Sequence, residues 1–289
     1  MKIIFFGFGY CAEFLLQLIP TKWGKVGTHT KLPHNFKFKN FINIDRYTFT
    51  DFLIKKEKLF LNTTHILISI PPNSKGDIVY QELRDMIIKT KSIEWVGYLS
   101  STGVYGDHKG KWVNEESKLN TKNLRSKNRI ISELQYMKLF EENRIPVHIF
   151  RLPGIYGPNR SIFERIKKGN VKLIEKKNHY FSRIHVEDIA TCLWTSMRKK
   201  SPGEIFNVTD DYPSSSNDVT LFAHKLLGKK NPNIIKWNNT DLNEMTKSFY
   251  RENKKVSNKK VKNLLGWKPQ YSDYKVGLKS ILKNNINYL

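Results

Sequence analysis

Short apolar runs alternate with stretches of helical spacing through the first 150 residues. Residues 2–6 are an apolar run ended by a glycine-bearing turn, and 12–19 reads as a helix stopped by Pro20. Residues 25–28 and 41–44 are further strand-sized runs, the second ending at Asp45. Residues 65–70 are apolar after an initial histidine and are broken by Pro71 and Pro72. Residues 77–91 bring Leu83, Met86 and Ile87 to one helical face. A strand at 95–99, a long helix at 126–143 and a strand at 147–151 follow. Short buried strands separated by helices predict a parallel sheet covered on both faces, because every crossover must span the sheet's length. Beyond Pro153 the pattern loosens to helices at 161–169 and 186–199 and a strand at 203–209. The second of these helices opens near Glu187 and Asp188, where negative charge suits a helix N-terminus. From Asp210 onward short helices and loops are mixed with prolines, and 254–262 is a basic cluster that reads as a solvated helix face.

The turn after the first strand carries chemistry. Gly7, Gly9 and Ala12 form a G-x-G-x-x-A pattern between a strand and a helix. Gly7 allows the tight turn and Gly9 lets the backbone approach a pyrophosphate. Tyr10 and Cys11 open the helix whose N-terminus faces the phosphates, and Ala12 keeps that helix close to the sheet. The expected fold is therefore α/β, a Rossmann-type doubly wound parallel sheet with a small C-terminal α/β substrate lobe. The core spans 1–158 and continues at 182–209; the lobe takes 159–181 and 210–289.

A carboxylate that binds the adenosine ribose is expected about 20 residues further on. Thr28, His29, Thr30 and Lys31 stand there instead. Hydroxyls and a lysine accept a 2′-phosphate that a carboxylate would repel, so NADP is expected over NAD, with NAD as the alternative. After the fifth strand, Ser100, Ser101 and Thr102 lie between glycine-bearing turns. The carboxyl ends of such strands line the ligand crevice, where hydroxyls can bond a substrate carbonyl or hydroxyl.

Composition narrows the partners. The formal charge of +24 raises nucleic acid as a partner. The basic residues are spread along the chain, however, and Lys outnumbers Arg about three to one. No zinc finger, basic zipper or aromatic RNA-binding strand is present, so no specific nucleic acid is expected; the positive field suits a small anionic or polar substrate. No apolar run approaches the roughly 20 residues of a membrane helix, and residues 2–6 are too short and too soon broken by glycine for a signal peptide. Two cysteines make no disulfide framework, which fits a reducing, cytoplasmic setting. Eight scattered histidines give no metal-ligand spacing, so no metal is expected. A monomer or homodimer is expected.

Six segments in order resemble the extended short-chain dehydrogenase/reductases, the superfamily of NAD(P)-dependent epimerases and dehydratases. They are residues 7–12, 100–106, 151–158, 183–190, 206–210 and 264–269, and they run nearly end to end. The resemblance puts Ser101 at the family's catalytic Ser/Thr, four residues before the Tyr105 of Val-Tyr-Gly. It places Ser69 and Pro71 beside the cofactor, and Pro153 and Ile155 at its nicotinamide end. Arg183 and His185 are placed toward the substrate lobe, a structural role being the alternative for His185.

One departure bears on the reaction. The family's Tyr-x-x-x-Lys pair, anchored by a glutamate four residues after the Lys, falls on Arg125, Arg129 and Glu133. Proton exchange near neutral pH needs a phenol lowered by a neighbouring ammonium, and an arginine stays protonated. Arg129 can still hydrogen-bond the nicotinamide ribose, and the nearest replacement acids by position are Tyr105 and Tyr156. The reading is an NAD(P)-dependent oxidoreductase or epimerase/dehydratase-like protein acting on a small polar hydroxy or carbonyl compound, with a nucleotide sugar as one candidate. A non-catalytic NADP-binding sensor or scaffold is the first alternative, and a nucleic-acid-associated basic protein the second.

Overall fold

The computed structural model describes residues 1–31, 43–169, 171–237, 247 and 250–284. Thirteen strands appear among these residues: β1 Lys2–Phe6, β2 Gly24–His29, β3 Asp45–Thr48, β4 His65–Ile68, β5 Trp95–Ser101, β6 Trp112–Val113, β7 Val147–Leu152, β8 Gly154–Tyr156, β9 Leu173–Glu175, β10 Arg183–His185, β11 Glu204–Asn207, β12 Ile234–Lys236 and β13 Lys255–Val256. Seven form one parallel sheet in the order β11-β7-β5-β4-β1-β2-β3. The order reverses at β1, so a crevice opens at the carboxyl ends of β1 and β4. The other six pair off as β8 with β10, β9 with β12 and β6 with β13.

The helices are α1 Tyr10–Leu16, α2 Phe49–Ile54, α3 Lys56–Phe60, α4 Ile78–Lys89, α5 Leu124–Asn143, α6 Ile162–Lys167, α7 Val186–Arg198 and α8 Ser216–Leu226, with two more at Lys259–Leu265 and Tyr274–Lys283. Local chemistry sets their ends. Asp77 caps α4 by accepting from the Val79 and Tyr80 amides at 2.8 and 3.2 Å. Asn123 caps α5, which ends where Arg144 takes a left-handed conformation. Ser215 and Asp218 form a capping box on α8.

Alternation along β1 sends Ile3 and Phe5 to one face and Ile4 and Phe6 to the other. The first face is covered by α1 and α7, with Leu15, Ile189 and Leu193 in its core. The second is covered by α4 and α5, with Leu83, Ile87 and Tyr136. A separate small core holds Phe163, Ile166, Ala223, Leu278 and Ile281, from α6, α8 and the Tyr274–Lys283 helix. Val261, Leu265 and Trp267 pack instead on the first face of the main sheet. The stretch after Asp210 thus contributes to more than one core, with Val256 and Tyr250 in two further small clusters.

Several boundaries moved. The first helix starts at Tyr10, with Gly9 as its cap, and ends at Leu16. β5 runs on to Ser101, which carries both serines to the strand's end. The strand expected at 41–44 is instead Asp45–Thr48, and residues 41–42 lie outside the described residues. It is a half-exposed edge strand, so its polar sequence escaped a search for apolar runs.

Burial also shapes the acid response. His65 is buried between Trp23 and Trp95, with ring centroids 4.6 and 6.3 Å away, and desolvation pushes its pKa down to about 4. A depressed folded-state pKa gives stability that is full above about pH 6.5 and is lost as the pH falls towards 4, because the unfolded chain takes the proton first. His65→Phe, which keeps the ring packing, is expected to gain about 2 kcal/mol on the wild type between pH 7 and pH 5. Denaturant titrations at the two pH values read the difference, and an equal stability gap at both would refute it.

Candidate functional site

The loop after β1 is held from both sides. Gly7 has φ +85°, and a Cβ there would stand 2.9 Å from Ser69 Oγ and 3.0 Å from the Ile70 nitrogen. Its amide donates to Thr28 Oγ1 at 3.0 Å, and Ser69 Oγ donates to its carbonyl at 2.6 Å. Gly9 differs: its backbone is extended and a Cβ would meet nothing within 4 Å. Gly9 lines a cleft of about 920 Å³ at the carboxyl edge of the sheet. Gly7, Tyr10, Cys11, Thr28, Lys31, Ser69, Pro71, Ser101, Arg129, Pro153 and Ile155 line the same cleft. Ala12 lies behind it, buried against the sheet.

At the far end His29, Thr30 and Lys31 form the wall, and no carboxylate lines the cleft among the described residues. Thr28 does not supply a free hydroxyl there, contrary to expectation. It is fully buried, accepting from the Gly7 amide and donating to the Phe5 carbonyl at 3.4 Å. The polar side chains offered to the cleft at this end are therefore those of the residues after Thr28.

At the near end, Arg129 Nη1 donates to the Leu99 carbonyl at 2.6 Å, and Ser101 Oγ accepts from the Gly103 amide at 3.1 Å. Beneath them lies a buried network. Glu133 on α5 accepts from Ser100 Oγ at 2.5 Å and from Arg151 Nε and Nη2 at 3.0 and 2.7 Å. Arg151 on β7 also donates to the Tyr105 hydroxyl at 2.9 Å, and that hydroxyl donates to Asn207 Oδ1 at 2.7 Å. One ion pair thus ties α5, β5, β7 and β11 together under Ser101.

The network corrects one expectation. Tyr105 is fully buried with its hydroxyl committed, its pKa is pushed up to about 12 by burial, and it does not line the cleft. Tyr156 is no better placed as an acid. Its hydroxyl donates to the Asp273 carbonyl at 3.3 Å, its ring packs against His185, and burial raises its pKa. The position of a tyrosine after a strand does not say which way its hydroxyl faces. Cys11 lines the cleft as a neutral thiol, raised to about 11 by burial. His185 takes the structural role: it caps α7, accepting from the Glu187 amide at 3.3 Å, with its ring 4.0 Å from that of Tyr271.

The cleft opens into a second chamber of about 920 Å³. Pro71, Ser101, Arg129, Pro153, Ile155 and Arg160 line both. Arg125, Arg165, Lys172, Arg183 and Lys254 add charge to the second, where Glu252 is the lone carboxylate among the described lining residues. Glu252 is paired with Lys254 Nζ at 2.9 Å. Sequence reasoning reached Arg125, Arg129 and Arg183 but missed Arg160, Arg165, Lys172 and Lys254. The Lys-rich background hid them, and they meet only because α6, β9 and the segment before β13 converge on the end of the sheet.

Comparison with known proteins adds the following. The profile of the NAD dependent epimerase/dehydratase family matches residues 82–209. A conserved protein of unknown function from Silicibacter pomeroyi shares 38% identity, with 98% of each chain covered and a TM-score of 0.90. The dTDP-glucose 4,6-dehydratase of Bacillus anthracis, in complex with NAD, shares 16% identity over 99% of this chain and 97% of its own, with a TM-score of 0.79. The UDP-glucuronic acid 4-epimerase of Bacillus cereus, with UDP-glucuronic acid and NAD, shares 17% over 98% and 99%, at a TM-score of 0.76. These two likenesses show the fold. The chloroplast stem-loop binding protein of 41 kDa b from Arabidopsis thaliana is 26% identical over 210 residues, 68% of this chain. The chain spans 55% of that relative's length. Among the described residues no helix is long and apolar enough to cross a membrane.

Proposed function

We propose, for a chain that belongs to the NAD-dependent epimerase/dehydratase family, an NAD(P)-dependent oxidoreductase or epimerase/dehydratase-like activity on an anionic, polar hydroxy or carbonyl compound such as a nucleotide sugar. The observation that carries it is the continuity of the glycine-loop cleft with the cationic chamber through Ser101, Arg129, Pro153 and Ile155. One chamber suits a dinucleotide and the next an anion, with a hydroxyl at their junction. A bound nicotinamide supplies hydride transfer; the chain supplies binding and orientation. Gly7, Gly9 and the head of α1 take the pyrophosphate, Ser69 and Pro71 flank the cofactor, and Pro153 and Ile155 border the nicotinamide. Arg129 takes the ribose from its anchorage on the Leu99 carbonyl. Ser101 orients the reacting oxygen. Among the described residues no carboxylate lines the adenosine end, and with Lys31 on the rim this supports NADP over NAD, although the two fold neighbours carry NAD.

A second reading, a non-catalytic NADP-binding sensor, is favoured by Arg125 at the position where the resemblance puts the family tyrosine and by the sealed hydroxyls of Tyr105 and Tyr156. Turnover separates the two. A screen of sugar nucleotides and small carbonyl compounds with NADPH is expected to give slow turnover, since missing general acid help costs about 10²–10⁴-fold. Ser101→Ala is expected to lower kcat about tenfold, the worth of one hydrogen bond at the reacting oxygen. Tight NADPH binding with no turnover across the screen is the result that favours the sensor.

The stem-loop binding named for the Arabidopsis relative is not proposed for this chain, whose excess charge is dispersed. Binding to a stem-loop RNA at low salt is expected to collapse between 50 and 200 mM salt, by roughly 10³-fold or more for a purely electrostatic contact. Sequence-dependent nanomolar binding at 150 mM salt would reverse that assignment.

A further inference from the structure

Arg125 and Arg129 lie four residues apart on α5, so their side chains share one face of the helix, and both line the cationic chamber. Like charges at this spacing repel by a few tenths of a kcal/mol, and a carboxylate between them would ordinarily relieve it. Among the described residues none lies free in the chamber: Glu133, one turn further on, is spent on Arg151, and Glu252 on Lys254. Among the described residues no hydrogen bond or ion pair holds the Arg125 guanidinium. Arg129 spends one nitrogen on the Leu99 carbonyl. Arg165, from α6, lines the same chamber.

We infer that Arg125 and Arg129 form an oxyanion clamp, which binds a carboxylate or phosphate group of the ligand at the place where the family resemblance puts a proton-transfer pair. The guanidinium plane presents paired donors matched to two oxygens of such a group, and Arg125 is exposed, so its side chain is free to reach a ligand from solvent. Arg129 is half immobilised by its carbonyl anchor, so it loses little freedom on binding. Arg125 is the arm that closes on the anion. The clamp gives the chamber a specificity for ligands whose anionic group lies close to the reacting carbon, next to Ser101. This inference rests on the proposed function for the role of the adjoining cleft, but the clamp itself can be measured without a dinucleotide.

The test is calorimetric titration with inorganic phosphate and, separately, with malonate, at 150 mM salt. It is run on the wild type, Arg125→Ala, Arg125→Lys, Arg129→Ala and Lys58→Gln. Lys58 is an exposed residue of α3 that lines neither chamber. Both arginine-to-alanine changes are expected to weaken the tighter of the two probes about 10- to 100-fold. Arg125→Lys is expected to lose part of that affinity, because it keeps the charge without the fork, and Lys58→Gln to lose none. Whichever probe binds more tightly tells whether the group is tetrahedral or planar. Equal losses in all variants would mean a diffuse field and overturn the clamp, as would no loss in the two alanine variants or no binding of either probe. Thermal midpoints within about 2 °C of the wild type show that α5 has survived. NADPH binding is recorded on the wild type and on Arg125→Ala, whose residue lines the chamber but not the cleft, so failure of the cleft and failure of the clamp appear as separate results.

Discussion

Arg151→Met is expected to lower the stability of the protein by about 3–5 kcal/mol, the cost of leaving a buried charge without its partner. The Arg151 and Glu133 side chains are only 3% and 5% exposed and meet at 2.7 Å. With the guanidinium gone, Glu133 keeps one donor, Ser100 Oγ, and Tyr105 loses the group that donates to its hydroxyl. For a chain of this size the melting temperature should fall on the order of 10 °C. Combining Arg151→Met with Glu133→Leu should restore a large part of the loss, because a buried pair replaced on both sides removes the orphaned charge. Two additive losses would mean that the pair does not act as a unit. The network also ends at Ser100 in the cleft, next to Ser101, so Arg151→Met should weaken ligand binding even at temperatures where the fold persists.

Two neighbouring glycines should behave oppositely. Gly9→Val places a branched side chain in open space within the cleft, from an extended backbone that any residue adopts. The melting temperature should be unchanged, while dinucleotide affinity falls at least about 100-fold, roughly 2.7 kcal/mol. Gly7→Ala forces a methyl into a left-handed conformation and against Ser69 Oγ at 2.9 Å. It should cost about 2 kcal/mol of stability and weaken binding as well. Thermal melts and NADPH fluorescence on both variants read the four quantities. A Gly9→Val protein that binds as the wild type does would mean that this face of the cleft holds no dinucleotide.

What could be read in the sequence follows the range of the interactions that decide it. Strand β1, the turn at Gly7 and the helices α5 and α7 are set by local period, capping residues and glycine, all visible over a dozen residues. Strand β3 at the sheet edge was misplaced because half-exposed Arg46 and Thr48 carry no apolar run. Ser101 was placed in the cleft by its position at a strand end, and Arg129 by the family resemblance, which puts it in the Lys slot. Tyr105 and Tyr156 were not, since the direction of a hydroxyl depends on Asn207, Arg151 and Asp273, which lie 46 residues or more away in sequence. The cationic chamber escaped for the same reason. Arg160 and Lys254 are unremarkable in a chain with 50 basic residues and gain meaning only where distant segments meet.

The dinucleotide cleft is tested most directly by the affinity of the unmodified protein for the two dinucleotides. Isothermal titration of the wild type with NADP⁺ and with NAD⁺, under identical buffer at 150 mM salt, should give one site per chain for each, with NADP⁺ the tighter. Tighter NAD⁺ would overturn the preference drawn from residues 29–31, and no heat of binding with either dinucleotide would contradict the central assignment of the cleft.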